Sequence, residues 1–141
     1  MKITRKNICD LARTLEHVKY QHEGRNEYGV DCVGVPYFVA NKLGLEINNE
    51  KNYSKIPDGK MLLRNLKEKL GKQKDKGEEK QGDILLMKFD SEPQHVAILL
   101  EDDYIIHSYI KARKVVIHRY SQEWKDKVIC CFEFPNLEEE K

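Results

Sequence analysis

No stretch of this sequence approaches the roughly 18 consecutive apolar residues that a membrane-spanning helix needs. The segment Ile8 to Tyr20 is broken by Asp10, Arg13, Glu16 and Lys19, so it offers no apolar h-region and no signal peptide. The expectation is a protein made in the cytoplasm that reaches any outside target on a particle or after lysis. An excess of one charge is missing too. Lys and Arg total 25 against 24 Asp and Glu, a net charge of +1. That balance calls for neither nucleic acid nor a membrane as partner. Cysteine is sparse, with Cys9, Cys32, Cys130 and Cys131, and no two have the C-x-x-C spacing of a zinc or redox site. No metal or organic cofactor is expected. Internal repeats are absent.

What is present reads as globular. Apolar residues make up 40% and charged residues 35%. A length of 141 residues suits one domain, taken here as 1–141, with a full core. Residues 5–18 carry Ile8, Leu11, Leu15 and Val18 on one helical stripe. Residues 20–31 are polar, contain Gly24 and Gly29, and read as a loop. A second helix is predicted over 32–43, with Pro36 in its first turn, where a missing N–H is tolerated, and Gly44 as its C-cap. Residues 46–57 look irregular, and a helix is predicted from Asp58 to Leu70. The tract 72–80 is charged and reads as a solvated linker without function. Strands are predicted over 83–89, 95–101, 103–109, 114–120 and 127–134, with a turn at Glu101-Asp102-Asp103 and a short helical turn around Trp124. Cys130 and Cys131, adjacent in the last strand, should face opposite ways. Helices first and a meandering antiparallel sheet after them define an α+β class.

Gly29-Val30-Asp31-Cys32-Val33-Gly34 is the informative segment. A turn leads into a helix that starts at a cysteine. Unpaired N–H groups and the positive helix end favour thiolate there, and such cysteines reach a pKa of roughly 3.5–7.5. The same N–H groups can steady an oxyanion. Asp31 is placed to cap the helix. On this segment alone an ordinary buried cysteine would look the same. His95 opens the strand His95-Val96-Ala97-Ile98-Leu99-Leu100, and His107 lies on the next strand. A hairpin turning at Asp102 and Asp103 brings them together, so His107 can orient His95. His118 lies a strand further on, two strand spacings or roughly 9.5 Å from His95. That is too far for a direct hydrogen bond, so His118 ranks below His107. His17 reads as surface, and His22 has no strand to mount it.

Asp31-Cys32-Val33-Gly34, Gly82-Asp83, Gln94-His95-Val96-Ala97-Ile98 and Ile106-His107 together resemble the NlpC family of cell-wall cysteine peptidases, the NlpC and P60 superfamily. The resemblance runs from about Cys9 to Phe134. Gly24-Arg25-Asn26, Pro93-Gln94-His95 and Lys111-Ala112-Arg113-Lys114-Val115-Val116 look like its small members encoded with phage tail genes. The resemblance implies a papain-like fold with N-terminal helices on the sheet. It implies hydrolysis of peptidoglycan stem peptides, commonly between D-glutamate and the diamino acid, with Cys32 as nucleophile, His95 as base and His107 as its orienting partner. It also implies a tyrosine twelve residues before the nucleophile, Tyr20, which with Asp31 would position the scissile group or the oxyanion. A packed loop aromatic is the plain alternative for Tyr20. Val33 departs from the family, which more often has serine there. The partners implied are peptidoglycan peptides and, for the phage subgroup, tail proteins and a place on the virion. An amidase or acyltransferase on the same scaffold, or a tail assembly module without catalysis, are the alternative readings.

Overall fold

The computed structural model describes residues 3–45, 72–89 and 92–138. Helix α1 (Arg5–Arg13) starts after Thr4, whose hydroxyl accepts from the Asn7 amide, the usual way to satisfy an orphan donor. It buries Ile8, Cys9 and Ala12. Periodicity predicts a helix through residue 18, yet α1 stops at Arg13. The following backbone is engaged elsewhere. His17 N donates to Val115 O at 3.0 Å, Val115 N to Val18 O at 2.7 Å, and Tyr20 N to Arg113 O at 2.9 Å. This stretch covers the outer edge of strand β7 (Lys114–Arg119), and covering a sheet edge leaves no backbone groups for a helix. Leu15 stays buried, and His17 is exposed as expected.

A small hairpin follows, β1 (Arg25–Asn26) with β2 (Gly29–Val30). Helix α2 (Gly34–Lys42) then begins two residues later than predicted, with Cys32 and Val33 in the turn before it. Pro36 falls in its first turn, and Gly44 follows its end at φ +77°, as a left-handed C-terminal glycine should. Gly34 has a separate reason. A Cβ there would meet the backbone carbonyl of Gly24, so the hairpin and the helix start touch backbone to backbone.

The remaining strands are β3 (Gln73–Asp75), β4 (Ile84–Phe89), β5 (Glu92–Leu99), β6 (Tyr104–Tyr109) and β8 (Val128–Phe132). With β7 they form one antiparallel sheet in the order β3-β8-β4-β5-β6-β7. Ile84, Leu85, Leu86 and Met87 are all buried, which marks β4 as covered on both faces. One face, with Ile84, Leu86, Val96, Ile98, Ile106 and Phe132, packs under α1 and α2. The other carries Leu85, Met87, Ala97, Leu99 and Ile105, with Trp124 of the short helix α3 (Gln122–Lys125) against it. Cys130 belongs to the first cluster and Cys131 to the second, as strand alternation requires. The architecture is α+β, as the order of elements predicts. Among the described residues no helix is long and apolar enough to cross a membrane.

The charged tract corrects one expectation. Residues 72–80 are not merely a solvated linker, because Gln73–Asp75 pairs with β8. Alternation turns Lys74 inward, where its ammonium donates to Asp83 at 2.5 Å. The irregular stretch 46–57 and the helix expected from Asp58 to Leu70 lie outside the described residues.

Candidate active site

Three segments converge on Cys32. The first is its own turn, braced by Asp31. That buried carboxylate accepts from Gly34 N at 2.8 Å, Glu23 N at 2.9 Å and Arg25 Nη1 at 2.9 Å. Asp31 thus serves the first amide of α2, as a capping residue does, and ties the hairpin to the helix start. Arg25 in turn lies over the Tyr37 ring, 4.8 Å from its centroid. The second segment is Lys19-Tyr20, held between the edge of β7 and Val30 of β2. Burial first, then the neighbouring Cys32 and Asp31, push the Tyr20 phenol up to about 12. Tyr20 is therefore a neutral hydroxyl. The third segment is β5. Backbone groups of Val96 and Val33 hydrogen-bond the Cys32 sulfur, so the thiol meets β5 at the residue after His95.

Electrostatics here differs from the expectation drawn from the helix start. Burial pushes the Cys32 thiol up to about 12, and the Asp31 charge adds to it. The Val96 and Val33 backbone groups and the Arg25 cation oppose that shift without overcoming it. Desolvation outweighs the helix-end charge because α2 starts two residues beyond the sulfur and the site excludes water. Cys32 therefore rests as a thiol.

Histidines form the other half of the site. β5 and β6 are in register at Ile98↔Ile106 and Leu99↔Ile105. Carried one pair further, that register sets His107 across from Ala97, two residues from His95 and on the same face. The rings meet, with His95 Nε2 2.5 Å from His107 Nδ1. The turn between the strands is the expected one, a 3-10 turn at Glu101–Asp103. Asp102 and Asp103 take positive φ there, which Asp tolerates. Burial holds both imidazoles neutral. It brings His95 down to about 3, with His118 adding, and His107 down to about 2, with His95 and His118 adding.

Two features go beyond the sequence reading. Strand counting keeps His118 away from His95, yet His118 does reach His107, with Nε2 to Nε2 at 2.8 Å. The second is Ser108, fully buried, whose hydroxyl donates to the Val30 carbonyl at 2.6 Å. It links the strand of His107 to the backbone two residues before Cys32. A buried hydroxyl in the apolar strand Tyr-Ile-Ile-His-Ser-Tyr was its one signal. Around His107, Tyr109 stacks at 5.1 Å between ring centroids and Trp124 stands edge-on at 5.0 Å. Among the described residues, no group of three or more His, Cys, Asp or Glu is arranged to hold a metal ion.

Comparison with known proteins places this geometry. The chain is similar in structure to the NlpC/p60 domain of the peptidoglycan hydrolase SagA, at 21% identity and TM-score 0.68, over 92% of this chain and 98% of that one. It is similar to an NlpC/P60 family protein from Bacillus cereus, at 20% identity and TM-score 0.73, over 95% of this chain and 41% of that one. It is similar also to the peptidoglycan hydrolase RipB from Mycobacterium tuberculosis, at 16% identity and TM-score 0.64, over 96% of this chain and 65% of that one. The last two are thus the longer proteins, and at these identities the likeness speaks for the fold. No curated protein matches the sequence. The family model for the NlpC/P60 family matches residues 17–133, a span that takes in the loop of Cys32 and all three histidine strands. The chain belongs to the NlpC/P60 family.

Proposed function

We propose that this protein is a cysteine peptidase that hydrolyses amide bonds in the stem peptides of bacterial peptidoglycan, with residues 1–141 acting as one catalytic domain. The observation that carries the reading is the His95–His107 hydrogen bond on the strand that meets the Cys32 sulfur. It occupies Nε2 of His95 and leaves Nδ1 as the nitrogen for the thiol. Membership of the NlpC/P60 family supports the substrate class, and the structural relatives SagA and RipB are peptidoglycan hydrolases.

Since Cys32 and His95 both rest neutral, the proton moves during attack. The sulfur bonds to the carbonyl carbon as His95 Nδ1 takes the thiol hydrogen. The carbonyl oxygen becomes an oxyanion, stabilised by the Cys32 amide and the Tyr20 hydroxyl. His95 then passes its proton to the leaving nitrogen, the C–N bond breaks, and an amine departs from a thioester. Water, deprotonated by His95, attacks the thioester, and the acid leaves as the thiol is restored. His107 holds the His95 ring throughout. Asp31, with its carboxylate engaged by the loop, acts by shaping the turn that carries Cys32. The resemblance to phage tail members and to enzymes that cut between D-glutamate and the diamino acid extends this reading to that bond and to a virion setting.

Mass spectrometry of muropeptides after incubation with the protein tests the proposal. New stem-peptide fragments should form with the parent and be absent with folded Cys32→Ala. Cys9→Ala, Cys130→Ala and Cys131→Ala should keep turnover and cost only packing. Fragments produced by folded Cys32→Ala would overturn the nucleophile.

A further inference from the structure

We infer that His118 is a positioning residue that fixes the direction of every hydrogen bond in the chain His95–His107–His118. The inference rests on the reading of His95 as the base for Cys32. Its starting point is the outer end of the chain. His118 Nδ1 lies 3.0 Å from the Arg119 carbonyl oxygen. A carbonyl can only accept, so Nδ1 carries a hydrogen. When the ring carries that one hydrogen alone, as in uncharged imidazole, His118 Nε2 is an acceptor. That nitrogen is 2.8 Å from His107 Nε2, so His107 donates from Nε2 and keeps a lone pair on Nδ1. The lone pair faces His95 Nε2 at 2.5 Å, so His95 donates from Nε2. His95 Nδ1 is then the lone pair, the form a general base needs.

The inner pair cannot make this choice by itself. Reversed, His107 Nδ1–H would donate to His95 Nε2 in an equally short bond. The hydrogen of His95 would then sit on Nδ1 and block the base. In the inferred direction His107 Nε2–H has its acceptor in His118. Without that acceptor a buried donor would go unpaired, which is costly, and the reversed arrangement would gain. His107 has no exposed surface, so bulk water is not at hand as a substitute. One backbone carbonyl on β7 thereby sets the tautomer of the base two strands away.

Two measurements on the folded protein test this, and neither needs peptidoglycan, so they stand apart from any failure of the peptidase reading. Long-range proton–nitrogen NMR at neutral pH reports which ring nitrogen bears hydrogen. The parent should show Nε2–H at His95 and His107 and Nδ1–H at His118. Iodoacetamide then reports how well His95 activates the Cys32 thiol. His118→Leu should move hydrogen onto His95 Nδ1 and slow alkylation about tenfold, the scale set by an unpaired buried donor. His118→Gln, whose amide oxygen accepts near the place of Nε2, should restore the tautomer and most of the rate. If His118→Leu fails to fold, the parent spectrum still decides. Nδ1–H at His95 in the parent would overturn the inference, as would an unchanged tautomer and rate in folded His118→Leu.

Discussion

Burial sets the protonation of Cys32, His95 and His107 before any partner is considered. An imidazole titrates near 6.5 in an unfolded chain, whereas burial takes His95 to about 3 and His107 to about 2. Below about pH 6.5 the unfolded chain binds two protons that the folded site refuses. Stability is therefore fully present above that pH and is lost as pH falls toward the folded values. Each histidine adds a slope of about 1.4 kcal/mol per pH unit in that window. Ordinary carboxylates titrate lower, so the interval from about pH 6 to about pH 5 isolates the histidines. Urea unfolding should show a fall about 1.4 kcal/mol per pH unit shallower in His107→Asn than in the parent. Equal slopes would mean that His107 is protonated inside the fold.

Strand β6 does two jobs because its residues alternate. His107 points to the face shared with Ile105, while Ser108 points to the helix side and holds Val30. The faces of this strand were legible from Tyr-Ile-Ile-His-Ser-Tyr alone, and so was the turn at Asp102 and Asp103 that sets the pairing of His95 with His107. What alternation cannot report is which distant backbone a buried hydroxyl will find. The same limit hid the end of α1, where His17 and Val18 leave the predicted helix for the edge of β7. It also hid the reversal of the Cys32 shift, since helix-end charge is a local signal and desolvation is not. Ser108→Ala should cost about 1 kcal/mol of stability for the lost hydrogen bond. It should also slow Cys32 alkylation several-fold, because the turn bearing the thiol loses its tie to β6. Ser108→Thr keeps the hydroxyl and should recover the rate. A rate in Ser108→Ala equal to the parent's would make the bond purely structural.

Across the whole molecule, the helical half is fastened to the sheet by an ionic cluster at the first residue of α1. Asp83, fully buried, accepts from Arg5 of α1 at 2.8 Å, from Lys74 of β3 at 2.5 Å and from the Lys80 amide at 2.8 Å. Glu133, just past β8, takes the second Arg5 nitrogen at 2.9 Å and lies 3.4 Å from Lys74. Two cations and two carboxylates thus meet across four segments. Gly82-Asp83 stood out in the sequence as a strand opening, but its cationic partners lie 78 and 9 residues away, and no local pattern names them. Removing the central carboxylate takes away the acceptor that Arg5 and Lys74 have in common. Asp83→Asn should destabilise the fold by about 3 kcal/mol, the cost of stranding buried charge. Lys74→Met leaves Arg5 paired with both carboxylates and fills the same space with apolar atoms, so its cost should be well under half of that. Combined, the two changes should cost less than their sum, since Met at position 74 removes one stranded cation. Urea midpoints of the parent, both single variants and the double variant check the cycle. Strict additivity would mean that Lys74 and Asp83 do not act as a unit, and that β3 is held by its backbone ladder with β8 alone.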